Sequence, residues 1–213
     1  MKRLTTLLIA GVSIFGMNVN AQTELKDFRG NLKLGVKAGA NYSNVWDERD
    51  NDFEANGKVG FAGGAFLHIP IGRFIGVQPE VLFSQKGFQG SGAILGQDYS
   101  FKRTTNYLEV PLLFTVKPTS FFTIVAGPQY SFLLSQEDRF TTGDNSASEF
   151  RDFENDDIRR NTLGAVVGFD VNVNHFVVSP RAGWDFQTNH GDGSSSAPRY
   201  KNQWLQLTLG YRF

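Results

Sequence analysis

From Lys33 onward the chain is a succession of stretches in which apolar residues take every second position, the period of a strand with one apolar and one polar face. The first runs from about Lys33 to Tyr42, with Leu34, Val36, Ala38, Ala40 and Tyr42 on one face and Gly35, Lys37, Gly39 and Asn41 on the other. A second, Lys58 to about Ile69, sets Phe61, Ala65, Leu67 and Ile69 against Gly60, Ala62, Gly64, Phe66 and His68. The third, Phe74 to about Lys86, sets Ile75, Val77, Val81 and Phe83 against Gln78, Glu80 and Ser84. The fourth, Thr105 to Val116, sets Leu108, Val110, Leu112, Phe114 and Val116 against Tyr107, Glu109 and Thr115. In the fifth, Phe122, Ile124, Ala126, Tyr130, Phe132 and Leu134 oppose Gln129 and Ser131. The sixth opposes Leu163, Ala165, Val167, Phe169 and Val171 to Asp170 and Asn172, and the seventh Phe176, Val178, Ala182, Trp184 and Phe186 to Ser179, Arg181, Asp185 and Gln187. The last alternates Leu205, Leu207, Leu209, Tyr211 and Phe213 with Gln206, Thr208, Gly210 and Arg212.

The connections between these eight stretches alternate long and short. Ser43 to Asn56, Gly87 to Arg103, Gln136 to Arg160 and Asn189 to Asn202 are long; Pro70 to Arg73, Lys117 to Ser120 and the Asn174-His175 pair are short. An even strand count with this rhythm predicts an all-β fold, an eight-stranded antiparallel up-and-down transmembrane β-barrel with short periplasmic turns and longer extracellular loops. A lipocalin-like soluble barrel also has eight strands, but it would turn the apolar rows inward and the charged rows to water. Upstream, Lys2 and Arg3 precede an apolar run from Leu4 to Met17 and then Val19-Asn20-Ala21, so residues 1–21 are expected to be a cleaved Sec-type signal peptide and 22–213 the barrel domain. That run is shorter than the ~20 residues a spanning helix needs, so membrane crossing falls to the strands.

Composition adds little to this and removes several alternatives. Of the 21 Lys and Arg, two lie in the leader, leaving 19 against 21 acidic residues, a charge near −2 that does not suit nucleic acid. There is no cysteine, hence no disulfide framework, cysteine-ligated metal or lipidated cysteine. Mean hydropathy is negative, as expected where a polar lumen cancels an apolar exterior. The 20 phenylalanines and 23 glycines suit girdled strands and a crowded interior.

The closing strand, with Leu209, Tyr211 and Phe213 on its apolar face, resembles the C-terminal signal by which outer-membrane barrels are recognised for assembly. The segments Gly35-Val-Lys-Ala-Gly-Ala-Asn-Tyr42, Gly76-Val-Gln-Pro-Glu-Val-Leu-Phe83, Tyr107-Leu-Glu-Val-Pro-Leu-Leu-Phe114, Ala126-Gly-Pro-Gln-Tyr130 and Leu-Gly-Tyr-Arg-Phe213 resemble the PorT-type outer-membrane β-barrel family. The resemblance implies an integral outer-membrane protein whose partners include outer-membrane lipid and the barrel assembly machinery. The family's name-giving member assists protein export, a role carried by no residue matched here.

The inward rows hold the candidate chemistry. Lys37, Arg181 and Arg212 are cationic and Glu80, Glu109, Asp170 and Asp185 anionic. In so narrow a lumen unpaired charges are costly, so Glu80 and Glu109 are expected to pair with Arg212, Arg181 or Lys37 and to plug the barrel. Pro79, Pro111, Pro128 and Pro180 fall inside strands and predict a belt of ladder irregularity, read as bulges. Enzymatic chemistry has only His190, Asp192 and Ser194 to Ser196 in one Gly-Ser-rich connection, which lacks a rigid support. His68 is expected at the lumen or rim and His175 in a turn. The acids Asp47, Glu48, Asp50, Asp52 and Glu54, and those between Asp138 and Asp157, lack ordered calcium-loop spacing and read as solvated loop. No cofactor and no metal site is expected. The reading is a side-chain-plugged barrel, not an enzyme, with a structural or partner-interaction role through its extracellular loops, accessory to export if the resemblance extends that far. The alternative is a narrow porin-like channel.

Overall fold

The computed structural model describes residues 31–47, 56–94, 97–142, 145–151, 159–189 and 200–213. Within them lie β1 (Lys33–Asp47), β2 (Asn56–Pro70), β3 (Ile75–Ile94), β4 (Gln97–Val116), β5 (Phe122–Thr142), β6 (Asn145–Arg151), β7 (Asn161–Val173), β8 (Phe176–Asp185) and β9 (Tyr200–Arg212). Each strand pairs antiparallel with its neighbours, and the ring runs β1-β2-β3-β4-β5-β7-β8-β9 before β9 returns to β1. Eight strands thus close a barrel with no free edge in its wall, and β6 is an appendage on the outer half of β5.

The polarity of the two faces decides what the barrel is for. Phe114 is 60% exposed and Leu207 58%, whereas Glu109 is fully buried and Glu80 is 2% exposed. A water-soluble barrel would forfeit the hydrophobic effect along every strand by this arrangement, while a bilayer rewards it. The soluble lipocalin-like alternative is therefore excluded by the direction of the side chains.

Two predicted connections are strand. β3 and β4 continue as a hairpin through the stretch from Gly87 to Arg103, paired as far as Ile94 with Gln97. β5 runs on to Thr142 and carries β6 within what reads as the third loop. The alternation that marks a strand fades along these extensions while their backbone pairing persists. At the other end the turns are tight: Asn174 takes φ 52° in the two-residue β7–β8 connection, a left-handed conformation that asparagine tolerates.

The prolines interrupt the ladder without shifting it. β2–β3 pairing breaks between Phe66↔Glu80 and Ile69↔Val77, beside Pro79, and resumes in the same register. Similar gaps flank Pro111 between β3 and β4, Pro128 between β4 and β5, and Pro180 between β7 and β8. Each proline therefore turns its missing N–H toward the preceding strand of the ring. The expected bulges lie elsewhere, between Gly57 and Ala62 and between Asn106 and Tyr107, where the register does shift.

Candidate functional site

The lumen is built from the inward row of each strand, and glycines opposite the long cations make room for them. Lys37 faces Gly64 on one side and Gly210 on the other, so its stem leaves β1 unobstructed. Arg181 faces Gly168, where a Cβ would lie 2.8 Å from the arginine Cδ.

These two cations anchor a chain of alternating charge across the periplasmic half. Lys37 Nζ pairs with Glu80 Oε2, and Gln78 Nε2 donates to Glu80 Oε1 at 2.9 Å. Arg181 Nη2 lies 3.9 Å from Glu80 Oε1 and 2.6 Å from Asp170 Oδ1, which also accepts from Ser179 Oγ at 2.7 Å. Two positive and two negative groups from β1, β3, β7 and β8 are thereby joined in one buried, neutral network. Above it Asn41 bridges Ser84 and Gln206 by amide hydrogen bonds of 2.8 and 2.9 Å.

The lumen is not polar throughout. Leu113, Val125, Val166 and Trp204 meet in an apolar cluster inside the barrel. Trp204 fits because its cross-strand partner is Gly183, where a Cβ would stand 2.3 Å from Trp204 Cζ2. Lys86 Nζ lies 3.0 Å from the centre of a Trp204 ring and 2.5 Å from Glu109 Oε1, joining a cation–π contact to an ion pair. Asp185 Oδ2 accepts from Asn202 Nδ2 at 2.7 Å on the same level.

At the extracellular mouth Arg103 closes the stack. Its Nε and Nη2 donate to the two Asp138 oxygens, each at 2.6 Å, and Nη1 donates to Tyr200 Oη at 3.2 Å. The guanidinium lies 5.5 to 5.7 Å from the rings of Phe88, Phe101 and Tyr200. Burial opposes its charge, but Tyr200 and Asp138 outweigh burial and hold its pKa above the ordinary value. At the periplasmic mouth His68, Lys117, Asp170 and Arg212 line a cavity of about 20 Å³, room for roughly one water.

Lys37, Glu80, Asp170 and Arg181 thus meet in one network, while Glu109 and Asp185 sit higher with Lys86 and Asn202. Of the cations expected as partners for Glu80 and Glu109, Lys37 and Arg181 meet Glu80, and Arg212 lines the periplasmic mouth with Asp170. Arg212 lies at the turn end, where its Nη2 donates to Asn174 O at 3.1 Å and its backbone N–H to His175 O at 2.7 Å. The partner of Glu109 is Lys86, which sequence reasoning passed over by treating it as the end of a strand. The inward phase of Gln78, Glu80 and Ser84 runs straight into Lys86, just as that of Gln206 and Thr208 runs back into Trp204. His68 faces the lumen, and His175 lies in the turn with its ring stacked 5.4 Å from that of Tyr211. Leu209, Tyr211 and Phe213 all face outward, Tyr211 and Phe213 with ring centres 5.4 Å apart. The leader 1–21, Glu48 to Glu54, Asp152 to Asp157, and His190, Asp192 and Ser194 to Ser196 lie outside the described residues.

The fold is similar to that of several solved outer-membrane barrels. Ail, the attachment invasion locus protein of Yersinia pestis, is 17% identical over 85% of this chain and 98% of its own, with a TM-score of 0.46. Neisserial surface protein A is 10% identical over 86% and 99%, with a TM-score of 0.49. OprG from Pseudomonas aeruginosa is 13% identical over 85% and 95%, with a TM-score of 0.37. No curated protein sequence matches the chain. Residues 20–187 match the model of the outer membrane protein beta-barrel domain, and with most of its length so covered the chain belongs to that family, an integral protein of the outer membrane.

Proposed function

We propose that the protein is a closed, side-chain-filled barrel whose role in the outer membrane is structural or lies in partner interaction at its extracellular end. The observation that carries this reading is the Lys37–Glu80–Arg181–Asp170 chain, which spans the lumen between opposite walls. Such a chain, with Trp204 and its apolar neighbours inside the same barrel, sets buried ion pairs across the path that solutes would follow. The test is conductance of the purified protein in planar bilayers. Silence or rare flickering is expected; large, stable single-channel steps would overturn the plug and favour the narrow channel.

Finer points rest on the same footing. The quoted segments support a place in the PorT-type group, and an accessory part in protein export follows from that resemblance alone. A non-enzymatic role is supported by the lumen acids, each bound to a cation or an amide and thus employed as filling. Residues 1–21 are proposed as the cleaved leader. Leu209, Tyr211 and Phe213 are proposed as the surface read by the assembly machinery, supported by their shared outward face.

A further inference from the structure

The outward rows of the wall are mainly apolar and polar residues break them in places, among them Gln85, Asn106 and Ser135 of β3 to β5, which hydrogen-bond to one another at 3.2 and 2.9 Å. Near the extracellular end Asn44 of β1 stands directly opposite Gln203 of β9, and Gln203 in turn opposite Trp184 of β8. All three lie on the lipid side of the wall, Gln203 and Trp184 exposed and Asn44 half-buried. Amides turned toward hydrocarbon are costly because nothing there can hydrogen-bond to them, so this row belongs at the level of the lipid headgroups. The same residues border a groove of about 430 Å³, walled by Tyr42, Trp46, Trp184 and Leu205 over a floor that includes Ala182 and Gly183. The short residues of β8 make the depression and the three large aromatic rings make its sides.

We propose that this groove holds the phosphorylated saccharide headgroup of an outer-leaflet glycolipid. Indole and phenol rings offer flat apolar faces for the C–H faces of a sugar, and their own polar edges remain available for hydrogen bonds. Gln203 adds a donor and an acceptor between those faces, the pairing that a hydroxyl group requires, and Asn44 stands beside it with its Oδ1 accepting from the Val45 N–H at 2.8 Å. At the outer lip Lys201, cross-strand partner of Trp46, holds its ammonium 5.2 Å from the Trp46 ring centre, which places a cation where a headgroup phosphate would lie. The occupant is a lipid and not a free sugar because the groove is continuous with the lipid-facing wall. Below Tyr42 the outward positions of β1 are Ala40 and Ala38, paired with Leu207 and Leu209, so small residues beside large ones continue the depression toward the membrane centre. A molecule with its sugar between the rings has its acyl chains directed along that furrow.

The proposal rests on the outer-membrane placement of the barrel and is independent of whether its lumen conducts. It is tested by titrating lipid A, dephosphorylated lipid A and phosphatidylglycerol onto the purified full-length barrel in detergent and counting bound lipid by native mass spectrometry. The wild type should retain one lipid A and bind it about tenfold more tightly than phosphatidylglycerol, a difference of about 1.4 kcal/mol. Trp184→Ala and Gln203→Leu should abolish that preference, and Lys201→Gln should remove the distinction between lipid A and its dephosphorylated form. Phe132→Ala, on the outward face of β5, should change nothing, and folding of every variant is checked by its resistance to SDS without heating. Equal binding of lipid A and phosphatidylglycerol, or retention of the preference in both Trp184→Ala and Gln203→Leu, overturns the proposal.

Discussion

Replacing Glu80 by alanine tests whether the lumen is dry. The carboxylate is 2% exposed and holds three groups at once: Lys37 on Oε2, and Gln78 and the more distant Arg181 on Oε1. Without it Lys37 remains a buried ammonium facing the Phe66 ring at 5.8 Å, an attraction of about 2 kcal/mol. Breaking a buried ion pair by removing one partner costs about 3–5 kcal/mol, so Glu80→Ala should lower the unfolding free energy by that amount. Removing both charges with Lys37→Met and Glu80→Leu should recover most of the loss, because no uncompensated charge is left and the volume is kept. In the cycle made of Lys37→Met, Glu80→Leu and the two together, the coupling should therefore exceed about 2 kcal/mol. The measurement is urea unfolding in phospholipid vesicles, followed by tryptophan fluorescence and compared at constant slope. In a water-filled pore the same pair would be screened and worth roughly 0–1 kcal/mol. A loss below about 1 kcal/mol with additive single mutants would refute both the dry lumen and the plugged reading built on it.

Three further outcomes follow from the geometry. Gly183→Ala puts a methyl within 2.3 Å of the Trp204 indole and should cost about 1–3 kcal/mol, with a shift in Trp204 emission as the ring leaves its seat; an unchanged spectrum and stability would contradict that packing. Leu207→Arg, in the middle of the outward row of β9, should destabilise the barrel by about 2–4 kcal/mol in vesicles, and a neutral result would argue against lipid at that height. Arg212→Ala removes a bond to the Asn174 carbonyl and a charge that shares the mouth cavity with Asp170, and should cost about 0.5–1.5 kcal/mol in the same unfolding assay; a loss as large as that of Glu80→Ala would place Arg212 in the central network.

The wall was legible from residue order because lipid imposes a two-residue period on it: the outward sides of Leu34, Phe61, Val81, Phe114, Ile124, Phe169, Val178 and Leu207 follow from alternation alone. The extracellular hairpin of β3 and β4 was not, since the alternation fades along Gln89 to Gly92, which read as loop. The prolines announced a disturbed ladder but not its form. A missing N–H can be absorbed by leaving one rung unmade, with the register kept on either side, and only the pairing shows that this happens at Pro79, Pro111, Pro128 and Pro180.

Alternation likewise assigns a charge to the lumen but says nothing of its partner. Which cation meets which acid depends on how far each strand is staggered against the next around the closed ring and on where a glycine opens a path. These are properties of the whole sheet. Sequence by itself determined the eight-stranded wall, the sorting of faces and seven candidate lumen charges, with Lys86 left out. Tertiary structure decided that Glu80 takes Lys37, that Glu109 takes Lys86, that Arg212 stays at the mouth and that Trp204 fills the space Gly183 leaves, because each of these is set by distance across a lumen that no local pattern measures.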